Sequence, residues 1–382
     1  MKWSKGGRIN ILVLNWRDIS NPSAGGAEVV VDNIIEFLRK GNKITFFTSY
    51  FPGSRHIERH GSLRVLRRGS MFTVYLHALL YLLKNRRNFD AVVESVSTVP
   101  FFTPLVFNKK KVIIVHHFMG RRVFLELPFY KAFAAYIAEK LIPVLYKKSF
   151  FIAMSGSVAE ELKNAHVRGA HISVCNPDAS FRFNEMCKAR HYKKFALPTI
   201  VTVSRLMRYK RVGLLIQLFS KLPKELGARL IIIGSGKEEH ALKLLSKRLN
   251  IGNKIKFAGA VSEREKTKYL KKAWVFATAS SMEGFGLSVL EAEKCGTPAV
   301  VFGVGGISEA LRNNYSGFVV REGDYDSYVS KLHKLLADQE LRSKMSSNAL
   351  VYGRKFNSAK LPKHIMSMIR HRKGLRRAQA PG

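Results

Sequence analysis

Two glutamates eight positions apart bracket a glycine pair in the stretch Glu283-Gly-Phe-Gly-Leu-Ser-Val-Leu-Glu291. Gly284 and Gly286 let backbone N–H groups come close to a ligand, and a helix predicted to open near Leu287 would aim its first amides at phosphate oxygens. Carboxylates beside those amides cannot serve phosphate; they accept hydrogen bonds from sugar or ribose hydroxyls. The combination suits a ligand with both a phosphate and a sugar. Two glutamates can also compensate a helix dipole on a solvated face, and spacing alone leaves both readings open.

Other candidates carry charge or proton-transfer capacity. Arg205 and Lys210 follow a strand predicted at 199–204, where two fixed cations can hold a diphosphate and neutralise charge growing on a departing phosphate. With 65 Lys and Arg in the chain, such a pair is also expected by chance. Gly25 and Gly26 lie in Asn21-Pro-Ser-Ala-Gly-Gly-Ala-Glu28, between a strand at 9–15 and a helix running towards Lys40. That is the geometry of a phosphate cradle, or of a plain tight turn. Glu28 fits the first helical turn. His116 and His117 end another strand, and strand alternation sends their side chains to opposite faces, so one should enter the crevice. Asp324-Tyr-Asp326 has the spacing of an Asp-x-Asp metal motif but stands just before a helical stretch, where Asp is a favoured cap. We read it as a cap. No Cys or His cluster has zinc spacing, so no metal site is expected.

These residues resemble the retaining glycosyltransferases of family 4, which have the two-domain GT-B fold. The resemblance rests on Glu283 to Glu291, then Cys295-Gly-Thr-Pro298, Gly305-Gly306 and Ser316-Gly-Phe318, with Val203-Ser-Arg-Leu-Met-Arg-Tyr-Lys210, Ile231-Ile-Ile-Gly-Ser-Gly236 and Phe257-Ala-Gly259 upstream. It is dense from about residue 199 to 325 and thinner before that. It implies that Glu291 binds ribose hydroxyls, and that Glu283 with the backbone at Phe285, Gly286 and Leu287 holds the sugar and diphosphate. Arg205 and Lys210 would bind the donor pyrophosphate, Gly25 and Gly26 would approach the donor phosphate or acceptor, and His116 would contact the transferred sugar. His117 replaces a frequent Asp. Cys175-Asn-Pro-Asp178 departs from the family's pattern and is left out of the site. The resemblance implies no metal and no cofactor beyond a nucleoside-diphosphate sugar, with UDP favoured over GDP.

Short β-branched runs must position these groups. They are predicted at 9–15, 43–48, 91–95, 112–115 and 150–154, then at 199–204, 229–234, 254–257, 274–278 and 298–302, each followed by a segment of helical period. Alternation of this kind builds α/β layers with mainly parallel sheets. We therefore expect two Rossmann-like, doubly wound domains with a cleft between them. Residues 1–192 would be the acceptor side, 193–355 the donor side, and 356–382 a C-terminal helix and basic tail returning towards the first domain. The boundary lies in the basic stretch 188–194.

Composition narrows the function. The chain has 382 residues, is 46% hydrophobic and 24% charged, and carries a formal net charge of +38. That balance excludes intrinsic disorder and a fibrous chain. The excess, +18 in residues 1–195 and +20 in the rest, implies a polyanionic neighbour. Three cysteines are too few for a disulfide framework. No apolar run approaches the ~20 residues of a spanning helix, and residues 1–8 do not read as a signal peptide. Arg64, Arg67, Arg68, Arg121, Arg122 and Lys131 interleave with Met71, Phe72, Phe129, Tyr130 and Phe133. Such a mixture is either core with a solvated rim or a surface for an anionic membrane.

The expectation is a metal-independent, retaining hexosyltransferase with a lipid-linked or glycan acceptor. It would be cytoplasmic and peripheral on the inner membrane face, with no specific nucleic acid. The alternatives are a nucleic-acid or polyanion binder, or a same-fold nucleotide-sugar epimerase or inactive homologue.

Overall fold

The computed structural model describes residues 7–167, 171–189 and 192–370. Parts of the expected boundary stretch, the basic tail beyond 370 and the first six residues lie outside the described residues.

Fourteen strands among the described residues form two sheets. The first contains β1 (Asn10–Leu14), β2 (Lys43–Thr48), β3 (Ile57–His60), β4 (Leu63–Arg67), β5 (Ala91–Val96), β6 (Lys110–Val115), β7 (Phe150–Ala153) and β8 (His171–Val174), in the order β3-β4-β2-β1-β5-β6-β7-β8. Every pair is parallel except β3 with β4. The second contains β9 (Thr199–Val203), β10 (Arg229–Ile233), β11 (Ile255–Gly259), β12 (Val275–Thr278), β13 (Ala299–Phe302) and β14 (Gly317–Val320), all parallel, in the order β11-β10-β9-β12-β13-β14.

Parallel strands need helical crossovers, so both faces are covered and the central strands are mostly apolar, with Glu94 and Ser95 of β5 among the buried exceptions in the first sheet. In β1, Ile11 and Val13 pack with Val30, Ile34 and Ile35 of the Gly26–Leu38 helix. Leu12 and Leu14 point the other way, onto Val74, Ala78 and Leu82 of the Val74–Asn85 helix.

The β3–β4 hairpin corrects one reading of the basic stretch. Arg67 is not a surface cation: it is buried and paired with Asp18 and with Glu58, the latter at 2.6 Å.

The Phe129–Lys140 helix settles which residues of the second basic stretch are core. Its inward face is Ala132, Ala135 and Ala138. Phe129, Tyr130 and Phe133 are 75%, 68% and 52% exposed. The large apolar side chains are therefore on the surface. Lys131 Nζ lies 4.1 Å above the Phe72 ring, which joins this face to the exposed Leu76, Leu80 and Leu83 of the Val74–Asn85 helix.

The Lys360–Arg370 helix packs on the first sheet's layer, against the Gly26–Leu38 helix and β6. His364 Nε2 sits 2.8 Å from Ser173 Oγ. No described helix is long and apolar enough to cross a membrane.

Candidate active site

Neighbouring parallel strands place their C-terminal loops side by side, and β9 lies next to β12. The loop carrying Arg205 and Lys210 therefore meets the loop carrying Glu283. Ser281 N–H donates to the Tyr209 carbonyl at 2.8 Å, and Lys210 Nζ donates to Glu283 Oε1 at 2.6 Å. These two side chains are 15% and 14% exposed, enough for a ligand to reach them. Burial works against the Lys210 charge, but Glu283 and Tyr209 outweigh it and raise its pKa above the ordinary lysine value.

The first sheet's layer supplies the opposite wall. Gly25 precedes the Gly26–Leu38 helix, and its N–H donates to Glu28 Oε2 at 2.7 Å. A Cβ on Gly25 would sit 3.3 Å from Arg205 Nε, and one on Gly26 would sit 3.7 Å from Leu287 Cδ2. Arg205 in turn donates to the Tyr209 hydroxyl at 2.6 Å. The glycine pair of the first half thus faces the cation and helix start of the second. This arrangement presents cations, a carboxylate and a helix N-terminus to one volume, the chemistry a sugar diphosphate requires.

Close backbone approaches hold the 283–287 loop. A Cβ on Gly284 would come within 1.8 Å of the His116 carbonyl oxygen, and one on Gly306 within 2.2 Å of the Gly284 carbonyl oxygen. Gly306 N–H donates to the Glu283 carbonyl at 3.0 Å. Gly286 has φ of +92°, which favours glycine, and ends the loop where the Leu287–Lys294 helix begins. The Phe285 ring points away into the core, edge-on to Phe356 at 5.6 Å, so only its backbone is available to a ligand.

Glu291 is buried, and its Oε1 accepts from Lys266 Nζ at 2.8 Å. Burial raises the Glu291 pKa, with Lys266 opposing. The His116 ring lies 3.0 Å from Ser95 Oγ, and burial lowers its pKa to about 4. For His117, burial first, then His116, Lys210 and Arg205, push the pKa down to about 3, so it is neutral at pH 7. The His116 backbone, not its ring, abuts Gly284.

Several supporting residues were not singled out as contacts in the sequence. Arg17 donates to the Ser23 carbonyl at 2.6 Å and stands 3.6 Å from Glu28, bracing the glycine loop from beneath. One cation among 65 gives no local signal of that role. The 175–178 loop joins the two layers instead of lining the cleft. Asn176 donates to Glu309 at 2.9 Å, and Asp178 pairs with Lys294 at 2.8 Å. Glu309 also accepts from the Gly156 N–H at 2.7 Å, at the start of the Gly156–Asn164 helix.

Asp324 accepts from Ser327 N–H at 3.1 Å and caps the Tyr325–Ala337 helix. No group of three or more potential metal-binding His, Cys, Asp or Glu side chains forms among the described residues.

Glu293 is fully buried, and neither of its carboxylate oxygens has a hydrogen-bond partner. Burial raises its pKa well above the ordinary value. A folded-state pKa above the unfolded one means that the penalty is absent below about pH 4 and grows as pH rises through the folded value. Glu293→Met should therefore stabilise the fold by roughly 1–3 kcal/mol, more at pH 8 than at pH 5. Urea unfolding at both pH values checks this; an equal gain at both would contradict it.

The architecture defines the class: the fold is GT-B. Residues 188–351 match the family model described as glycosyl transferases group 1. Over 150 residues the chain is 31% identical to N-acetyl-alpha-D-glucosaminyl L-malate synthase of Bacillus anthracis, covering 39% of each chain. The chain thus spans about two fifths of the length of that curated relative. Sucrose-phosphate synthase from Thermosynechococcus elongatus superposes with a TM-score of 0.78 at 17% identity, covering 95% of this chain and 98% of that one. HepE from Anabaena, solved in complex with UDP and glucose, superposes with a TM-score of 0.72 at 17% identity, covering 95% and 99%.

Proposed function

We propose that the chain is a retaining, metal-independent glycosyltransferase that moves a hexose from a nucleoside-diphosphate sugar, UDP favoured over GDP, to a lipid-linked acceptor at a membrane face. The observation that carries this reading is the convergence of Arg205, the Lys210–Glu283 pair and Gly25 at the mouth between the two sheets. The UDP-bound state of the structural neighbour HepE supports the choice of nucleotide.

In this reading the donor diphosphate lies between Arg205, Lys210 and the start of the Leu287–Lys294 helix. Glu283 receives sugar hydroxyls, and the free Glu291 oxygen receives ribose. The bond from the anomeric carbon to the phosphate oxygen breaks while an acceptor oxygen attacks the same face. The acceptor proton passes to the departing phosphate oxygen. Lys210, held protonated by its neighbours, neutralises the charge that develops there.

A cavity of about 420 Å³ opens beside this site, lined in part by Phe124, Leu125, Glu126, Met207, Arg208 and Lys237. Its lining combines apolar side chains with two cations and two carboxylates, Glu126 and Glu238, the latter 3.7 Å from Arg208, a mixture suited to an amphipathic acceptor that carries hydroxyls. The Phe124 ring, part of the lining, lies 5.7 Å from the Phe129 ring, so the exposed aromatic face adjoins the cavity.

Calorimetric titration with UDP, GDP and a random oligonucleotide, followed by a donor-hydrolysis screen with and without EDTA, tests the core of the reading. UDP binding and EDTA-insensitive hydrolysis are expected. Tight oligonucleotide binding without nucleotide binding would sink it, and activity lost to EDTA and restored by manganese would remove the metal-independence.

The membrane part has its own expected result. The protein should float with anionic liposomes at low salt, poorly with neutral ones, and be partly released at 1 M salt, where the Debye length is ~3 Å. Neutralising Arg121, Arg122 and Lys131, or replacing Phe129 and Phe133 with serine, should weaken flotation and leave UDP affinity intact. Arg67 is unsuitable for this test because it holds the β3–β4 hairpin. Equal recovery with neutral vesicles would rule out the electrostatic component.

A further inference from the structure

Cys187 and Cys295 are far apart in sequence, yet their sulfurs lie 3.5 Å apart as free thiols. Cys187 belongs to the Phe181–Ala189 helix, which follows the last strand of the first sheet. Cys295 ends the Leu287–Lys294 helix, whose other end is the Gly286 turn of the candidate site. The Phe181–Ala189 helix packs on this helix and on the Glu263–Lys272 helix. Lys271 Nζ donates to the Cys187 carbonyl at 2.7 Å and so anchors the cysteine-bearing turn. Cys175, the third cysteine, is buried on the first sheet's side and is an internal control.

We infer that Cys187 and Cys295 form a reversible disulfide that staples the segment leaving the first sheet to the helix carrying the 283–287 loop. A disulfide needs a sulfur separation of about 2.05 Å, so the pair must close by only about 1.5 Å. Cys187 is half-buried and so the more accessible of the two, whereas Cys295 is buried and burial pushes its thiol pKa well up. A peroxide would oxidise the Cys187 thiol to a sulfenic acid, releasing water. The Cys295 sulfur then attacks the Cys187 sulfur, the S–O bond breaks, and a second water leaves with the Cys295 proton. Two thiols and one peroxide give one disulfide and two waters. A thiol reductant reverses the step. The constraint acts on a loop of more than a hundred residues, so it should restrict the unfolded chain strongly.

The test treats the purified full chain with hydrogen peroxide, or separately with oxidised glutathione, and reads intact mass without reductant. The expected product is a monomer lighter by two hydrogens, with one linked peptide pair containing Cys187 and Cys295. Its melting midpoint should rise by several degrees, and dithiothreitol should restore the starting state. Cys187→Ser and Cys295→Ser should each abolish the product, while Cys175→Ser should leave it unchanged. None of these readouts needs a donor sugar, so they stand or fall separately from the proposed activity. Cys187 and Cys295 both remaining open to alkylation after oxidant would overturn the inference, as would a disulfide that engages Cys175 or links two chains. A linked pair with no change in melting midpoint would overturn the staple.

Discussion

Lys210→Ala is expected to lower kcat by roughly 10²–10³-fold, the usual effect of losing one charged or hydrogen-bonding group that acts on developing negative charge. UDP affinity should change only several-fold, because Arg205 and the helix start remain to hold the diphosphate. An interaction made mainly in the transition state lowers kcat and kcat/KM together. The substitution also leaves Glu283 without its 2.6 Å partner. At 14% exposure that carboxylate can be rehydrated, so the fold should survive. The double variant Lys210→Ala/Glu283→Gln separates the effects, since it removes the orphaned charge without restoring the cation. A kcat close to wild type with only a raised KM would assign Lys210 to ground-state binding.

Gly284→Ala should cost turnover about 10²-fold or more, the scale of effect when reacting groups are displaced by about an ångström. The added methyl would stand 1.8 Å from the His116 carbonyl oxygen, a backbone atom that no side-chain rotation can move. The end of β6 and the 283–287 loop must therefore separate, which withdraws the first sheet's wall from the donor loop. Arg205, Lys210 and Glu291 all lie on the second sheet's side, so nucleotide binding should stay near wild type. Stopped-assay kinetics paired with UDP calorimetry would show the split, and small-angle scattering should report a more open particle. Normal turnover would mean that this backbone contact is dispensable.

Elements whose chemistry is continuous along the chain are legible in residue order alone. Ten strands were legible because buried parallel strands read as short runs rich in apolar and β-branched residues. The 283–291 segment was legible for a related reason, since loop, glycines and helix start are contiguous. Four strands were missed. In β4, Arg64 and Arg67 interrupt the apolar pattern, because Arg67 is buried against acids from β3 and the β1 loop. β8 is a short edge strand with little burial, and β14 begins with a glycine that reads as a turn. Which charges meet depends on how the strands are ordered and how the two sheets pack. Lys210 reaches Glu283 across 73 positions because β9 and β12 are neighbours, and Arg205 reaches Gly25 because two sheets turn their loop ends towards each other. The same limit applies to burial. A helix with aromatics on one face and alanines on the other has the same periodicity whichever face is inside. Packing on Ala132, Ala135 and Ala138 is what left Phe129 and Phe133 to the solvent.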